Sequence, residues 1–238
     1  MKIEGKNAVR ECINSNKTID KILFQNGSQN RELMQLAKER GVKVQFVNKS
    51  ALDDFSVTKK HQGVIAITSD FKYSSVEDIL NLAKAKNEDA FILILDGVED
   101  PHNLGSVLRV AECAGVHGII IPKDRAVGVT ETVVKVSAGA SERVKIAKVT
   151  NLNRAIEDLK QKNIFVYCAD MDGAPMTKTD LTGNIAIVVG SEGFGVSKLT
   201  RKLADGIISI PMFGQINSLN ASVSAGIVVY EAIRQRNK

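Results

Sequence analysis

The 238-residue sequence predicts an α/β protein resting on a mostly parallel sheet. Three observations predict it. Hydrophobic residues make up 44% of the chain, enough to fill packed cores. Short apolar runs recur along it, and helix-compatible stretches separate them, which is the pattern of strands joined by helical crossovers covering both faces of a sheet.

Over the first part of the chain, strands are expected at residues 21–25, 42–47 and 63–68, with a helix at 29–40. That helix places Leu33, Leu36 and Ala37 on one face, and Gly41 is a suitable stop. Residues 1–70 therefore read as a small α/β domain. Residues 71–88 turn polar: Ser74-Ser75-Val76-Glu77-Asp78 has the composition of a helix start and Lys84-Ala85-Lys86-Asn87-Glu88 that of a solvated end, so the segment reads as a linker. Residues 89–238 carry strands at 91–95, 118–121, 164–168, 185–189 and 206–210 and form the larger domain. In such sheets ligands sit beyond the carboxyl ends of strands where strand order reverses, so the junctions after the strands are the places to look for chemistry.

Bulk properties narrow the field. No apolar run approaches the roughly 18 residues of a membrane span, and Met1-Lys2-Ile3-Glu4 leads into polar sequence rather than a secretory signal, so a cytoplasmic protein is expected. Cys12, Cys113 and Cys168 form no CxxC pair and are expected as buried free thiols. No histidine and carboxylate cluster suggests a metal. The net charge of +5 permits a polyanionic partner without demanding one.

Three junctions stand out. The first, residues 95–109, runs from a polar turn into a helix whose Leu104, Val107, Leu108 and Ala111 share one face. Arg109 lies off that stripe, with Gly105 leaving open space over the turn it leans toward; it is either a functional cation or a surface arginine paired with Glu112. Asn103 is either a helix cap or a site residue, and His102 a turn residue or a general base. The second junction, residues 187–197, holds Gly190-Ser191-Glu192-Gly193-Phe194-Gly195, which is not the GxGxxG dinucleotide fingerprint, so a nicotinamide-dependent oxidoreductase loses its main support. Its glycines allow backbone to approach a ligand, with Glu192 available to bind a hydroxyl or amine, unless it is a solvated hairpin. The third, residues 208–230, gathers Ser218 and Asn220 at the start of a helix apolar on nearly every side, either as caps or as site residues; such a helix is expected to pack on the sheet and on a second copy. Residues 135–143 combine small and basic residues, as a phosphate contact or an ordinary helix end.

Together these junctions resemble the SpoU or TrmH family of the SPOUT class, the RNA 2′-O-ribose methyltransferases. The resemblance is carried by Asp100-Pro101-x-Asn103-x-Gly105-x-x-x-Arg109, by Gly190-Ser191-Glu192-Gly193-x-Gly195, and by Ile210-Pro211-Met212 with Ser218-Leu219-Asn220-Ala221-Ser222. Residues 3–9, Ile3-Glu4-Gly5-Lys6-Asn7-Ala8-Val9, look like the start of the L30e-like RNA substrate-binding domain of one branch of that family.

The resemblance implies a knotted, trefoil SPOUT catalytic domain, with the segment from about Ile185 threaded through a loop. Unaided folding rules would reject such a knot. It implies S-adenosylmethionine as cofactor, held by Gly190, Ile210, Met212 and Leu219, and a homodimer. It implies methylation of a guanosine ribose 2′-hydroxyl in 23S rRNA, with tRNA the second choice and a non-catalytic RNA-binding ribosome-assembly protein the reading from another class. Arg109, Asn103, Glu192, Ser218 and Asn220 are then the catalytic set. An arginine is a poor base because its pKa lies above about 12, so Arg109 is expected to hold phosphate and stabilise developing negative charge.

Overall fold

A computed structural model of the protein describes every residue other than Asn16, Lys17, Gln29, Asp70, Ile216, Asn217 and Lys238. The chain divides into two compact units, Met1–Lys72 and Tyr73–Lys238.

The first unit runs β1 (Lys2–Glu4), α1 (Lys6–Asn14), β2 (Thr18–Gln25), α2 (Arg31–Glu39), β3 (Val44–Val47), α3 (Lys49–Phe55) and β4 (Val64–Ser69). Its sheet has the order β1-β4-β2-β3, with β2 and β3 parallel and the other pairings antiparallel. Leu33 and Ala37 of α2 are buried with Val9, Ile22 and Phe24. Gly41, at φ +65°, ends α2 with Val42 N–H returning to the Ala37 carbonyl. β1, α1 and α3 are not among the expected elements; β1 and α3 span only 3 and 7 residues, and α1 buries just Val9, Cys12 and Ile13 in an otherwise polar stretch.

The second unit opens with α4 (Val76–Lys86), followed by β5 (Phe91–Asp96), α5 (Pro101–Cys113), β6 (Gly118–Pro122), α6 (Glu131–Val136), β7 (Lys145–Val149), α7 (Leu152–Gln161), β8 (Phe165–Pro175), β9 (Ile185–Gly190), α8 (Lys198–Leu203), β10 (Gly206–Ser209) and α9 (Ala221–Arg236). The six strands lie in the order β10-β8-β9-β5-β6-β7, and every pairing among them is parallel. From β5 the chain winds outward through β6 and β7, then returns to build β8 and β9 on the other side. Strand order therefore reverses between β5 and β9, whose ends are paired at Asp96 and Gly190.

Residues 71–88 are more than a linker. Ile79, Leu80 and Ala83 of α4 are buried with Ile92, Ile94, Ile120 and Ile156 of the second unit's core, and Ser75 with Asp78 closes a capping box at the helix start. The segment's many charges lie on the outward face of an amphipathic helix. Strand β7 was also unexpected, because lysines at both Lys145 and Lys148 dilute its apolar run at the sheet edge. Cys12 and Cys168 are buried, whereas Cys113, at the solvent side of the last turn of α5, is exposed, contrary to expectation. Among the described residues no helix is long and apolar enough to cross a membrane.

Candidate active site

Asp100 caps α5, its carboxylate accepting from the N–H groups of His102 and Asn103 at 3.2 and 3.3 Å, with Pro101 in the first helical position, where its missing N–H costs nothing. The Asp-Pro pair carried that signal in the sequence. Asn103 is thus not the cap, and its side-chain amide is left for other work. Leu104, Val107, Leu108 and Ala111 are all buried, as their spacing predicts. Gly105 does not open space beneath Arg109: a Cβ there would stand 2.7 Å from Cβ and Cγ1 of Val136, so the missing side chain admits α6 against α5. Arg109 is exposed and, among the described residues, makes no hydrogen bond or ion pair; Glu112 pairs instead with Arg143 at 3.3 Å. Residues 135–143 form the end of α6 and the turn after it, with Gly139 at φ +88°. His102 is exposed, and the described residues give its ring no partner.

Beyond β9 the chain makes a tight loop. Ser191 and Gly195 exchange two backbone hydrogen bonds of 3.2 and 3.0 Å, and Gly193 and Gly195 take φ of +81° and +65°, a region that disfavours side-chain-bearing residues. Gly190 meets the backbone of Gly195 so closely that a Cβ would lie 2.1 Å from its carbonyl carbon. The half-buried Gly190 therefore serves the turn itself. After the loop, Ser197 N–H donates to Asp96 Oδ2 at 2.9 Å, a tie between strand ends that local sequence patterns do not reveal.

The third segment completes the arrangement. Asn220 caps α9: its Oδ1 accepts from Ser222 N–H at 2.9 Å, Ser222 Oγ at 2.6 Å and Val223 N–H at 3.3 Å. That cap fixes which end of the amide is oxygen, so Nδ2 is free to donate elsewhere. It donates to Asn103 Oδ1 at 2.9 Å and to Glu192 Oε1. Asn103 Nδ2 donates to the same Glu192 oxygen at 3.0 Å. One carboxylate oxygen is thereby held by two amides, close to the first turns of α5 and α9, whose dipoles favour a negative charge there. Glu192 Oε2 accepts from no described group and is available to a hydroxyl or an amine.

The structure thus unites Asn103, Glu192 and Asn220. Arg109 does not join them: six residues along α5 from Asn103, it stands roughly 9 Å further down the helix and about 120° around it. Ser218 is exposed with no hydrogen bond among the described residues. Ile210 is half-buried, while Met212 and Leu219 are 38% and 36% exposed in the irregular stretch between β10 and α9. Partly exposed apolar side chains of this kind can pack against a flat ring. Buried Cys168, its thiol pushed up to about 12 by burial, is no nucleophile. Among the described residues no three histidine, cysteine or carboxylate side chains gather as a metal site.

Known proteins resemble the chain over nearly its whole length. Residues 90–230 match the SpoU rRNA Methylase family, and residues 2–74 match a family of RNA 2′-O ribose methyltransferase substrate-binding domains. A Bacillus subtilis protein named as a TrmH family tRNA/rRNA methyltransferase is 43% identical over 238 residues, covering 98% of this chain and 95% of its own. Among solved structures, an RNA 2′-O ribose methyltransferase aligns with a TM-score of 0.58 at 27% identity, over 100% of this chain and 89% of its own. The SpoU methyltransferase AviRb of Streptomyces viridochromogenes, solved with AdoMet, shares the fold with a TM-score of 0.64 at 22% identity, over 99% of this chain and 90% of its own.

Proposed function

The chain belongs to the SpoU methylase family, and from that premise we propose that it is an S-adenosylmethionine-dependent methyltransferase acting on a ribose 2′-hydroxyl of RNA, with a guanosine of 23S rRNA as its target. The observation that carries this reading is the meeting of Asn103, Glu192 and Asn220, from three distant segments, at the point where strand order reverses. The match of residues 2–74 to a substrate-binding family supports the first unit as the RNA-capturing domain.

Gly190, Ile210, Met212 and Leu219 are the residues assigned to the cofactor, whose sulfonium supplies an electrophilic methyl group when bound. The chain's own work is to place and polarise the acceptor. Glu192, held through Oε1 by two amides, offers Oε2 to the sugar or to an amine of the cofactor. Asn103 and Asn220 fix that carboxylate, and Ser218, beside the cap, is assigned to the ribose. Arg109 is the cation for the phosphate and for negative charge growing on the ribose oxygen, a contribution that fixed positioning strengthens. Because Arg109 stands apart from the network in its own chain, we infer a homodimer in which a neighbouring copy reunites the parts; the exposed Val223 and Tyr230 of α9 support such a contact. The trefoil threading from about Ile185 follows from family membership in this reading.

The test is methyl transfer from tritium-labelled S-adenosylmethionine to bulk rRNA and, separately, to bulk tRNA, followed by alkaline hydrolysis. A label in alkali-resistant dinucleotides from rRNA supports the reading. A label confined to tRNA moves the substrate to the second choice, and transfer to neither would leave an RNA-binding protein without turnover.

A further inference from the structure

Glu192 sits on a loop whose own backbone hydrogen bonds, among the described residues, are the pair between Ser191 and Gly195. Beyond the Asn103 and Asn220 amides that hold its carboxylate, further ties lie at the loop's exit. Strand β9 lies between β5, which ends at Asp96, and β8, which carries Asp170 just past its last residue paired with β9. Asp96, in register with Gly190, accepts from Ser197 N–H at 2.9 Å. Asp170 follows Ala169, the residue paired with Val189, where β8 swings out before resuming its register with β10 at Ala174. Asp170 Oδ2 accepts from Arg201 Nη1 at 2.9 Å and lies 3.6 Å from where a Cβ on Gly195 would stand. Arg201 also reaches Asp172 at 3.4 Å.

Ser197 caps α8 and Arg201 follows four residues later, so carboxylates from both flanking strands grip one helix across its first turn. The Asp170 and Arg201 side chains are only 14% and 28% exposed. A pair that shielded holds its geometry, and loss of one partner leaves the other poorly solvated.

We propose that Asp170 and Arg201, together with Asp96, are positioning residues that fix the exit of the Glu192 loop and so place its carboxylate against Asn103 and Asn220. The proposal rests on reading that network as the reaction site. Displacement of a catalytic group by about 1 Å is enough to cost on the order of a hundredfold in rate.

The full-length enzyme serves for the test, with kcat and KM for bulk rRNA measured alongside melting temperature. D170N is expected to lower kcat at least about tenfold with RNA KM changed less than about twofold, and D170E to recover most of the loss. In an E192A background, D170N is expected to lower kcat by less than about twofold further, since it acts through the group already removed. Undiminished kcat in D170N, or an equal loss with and without Glu192, overturns the clamp while leaving the site reading intact. An E192A enzyme with the original rate overturns the site reading and the clamp with it. Should D170N not fold, R201K, which keeps the charge but not the planar fork, is measured by the same criteria.

Discussion

Asn220 Nδ2 lies 2.9 Å from Asn103 Oδ1, joining residues 117 positions apart in the chain. The same Asn220 side chain caps α9 through its oxygen, so one residue both starts a helix and holds the carboxylate of Glu192. The two jobs separate by substitution. Serine caps a helix about as well as asparagine but is too short to span to Glu192, so N220S is expected to keep stability within about 0.5 kcal/mol. Its methyl transfer is expected to fall by on the order of tenfold or more, because the Glu192 oxygen loses a donor. N220A removes both functions, and urea unfolding is expected to show a further loss of about 1 kcal/mol.

Gly105 bears on packing alone. Replacing it with alanine improves helix propensity by about 1 kcal/mol, yet the new Cβ meets Val136 at 2.7 Å. Overpacking of that kind costs about 1–3 kcal/mol and outweighs the gain. G105A is therefore expected to unfold at lower denaturant. V136A should restore much of the loss when combined with it, a non-additivity that two independent sites would not show.

These residues also mark what was legible in the chain. The stripe from Leu104 to Ala111 was readable because burial imposes helical spacing on sequence, and the strands from Phe91, Gly118 and Ile185 were readable because both faces of a parallel sheet are covered. The role of Gly105 was not, since the partner that fills its space is Val136, far along the chain. The partner of Asn103 was not legible in local pattern either: Asp100 takes the cap, and Glu192 reaches Asn103 only through the order of β9 and β5, so the residue's place in a site came from the family resemblance alone. Asp170 and Arg201 belong to no motif at all, their meeting being a product of the β8 excursion.

The first unit carries an acid-sensitive tie. Partial burial works against a charged Glu4, but hydrogen bonds from the Thr58 hydroxyl, Val57 N–H, the Ser56 hydroxyl and Thr58 N–H outweigh it and hold its pKa at about 2, below the ordinary 4.5. A depressed folded-state value means that the unfolded chain binds the proton more readily, so this stability is present above about 4.5 and is lost as pH falls toward 2. Amide exchange at Val57 and Thr58 is expected to quicken through that window. E4Q should flatten the dependence there, and an unchanged profile in E4Q would assign the acid response to another group.

Arg109 should show the opposite signature from Gly105. With no hydrogen bond or ion pair among the described residues, its guanidinium contributes little to folding, and R109A is expected to unfold within about 0.5 kcal/mol of the parent. A cation that meets the phosphate and the forming negative charge acts in the transition state, where losing such a group costs on the order of 10²–10³ in rate. Cofactor affinity by calorimetry should survive, since the assigned cofactor residues lie on other segments. R109K keeps the charge without the bidentate fork, so partial activity is expected of it. The combination of intact stability, intact cofactor binding and lost turnover is what separates a cation used in catalysis from a solvated surface arginine, and an R109A enzyme that methylates at the parent rate would remove Arg109 from the mechanism.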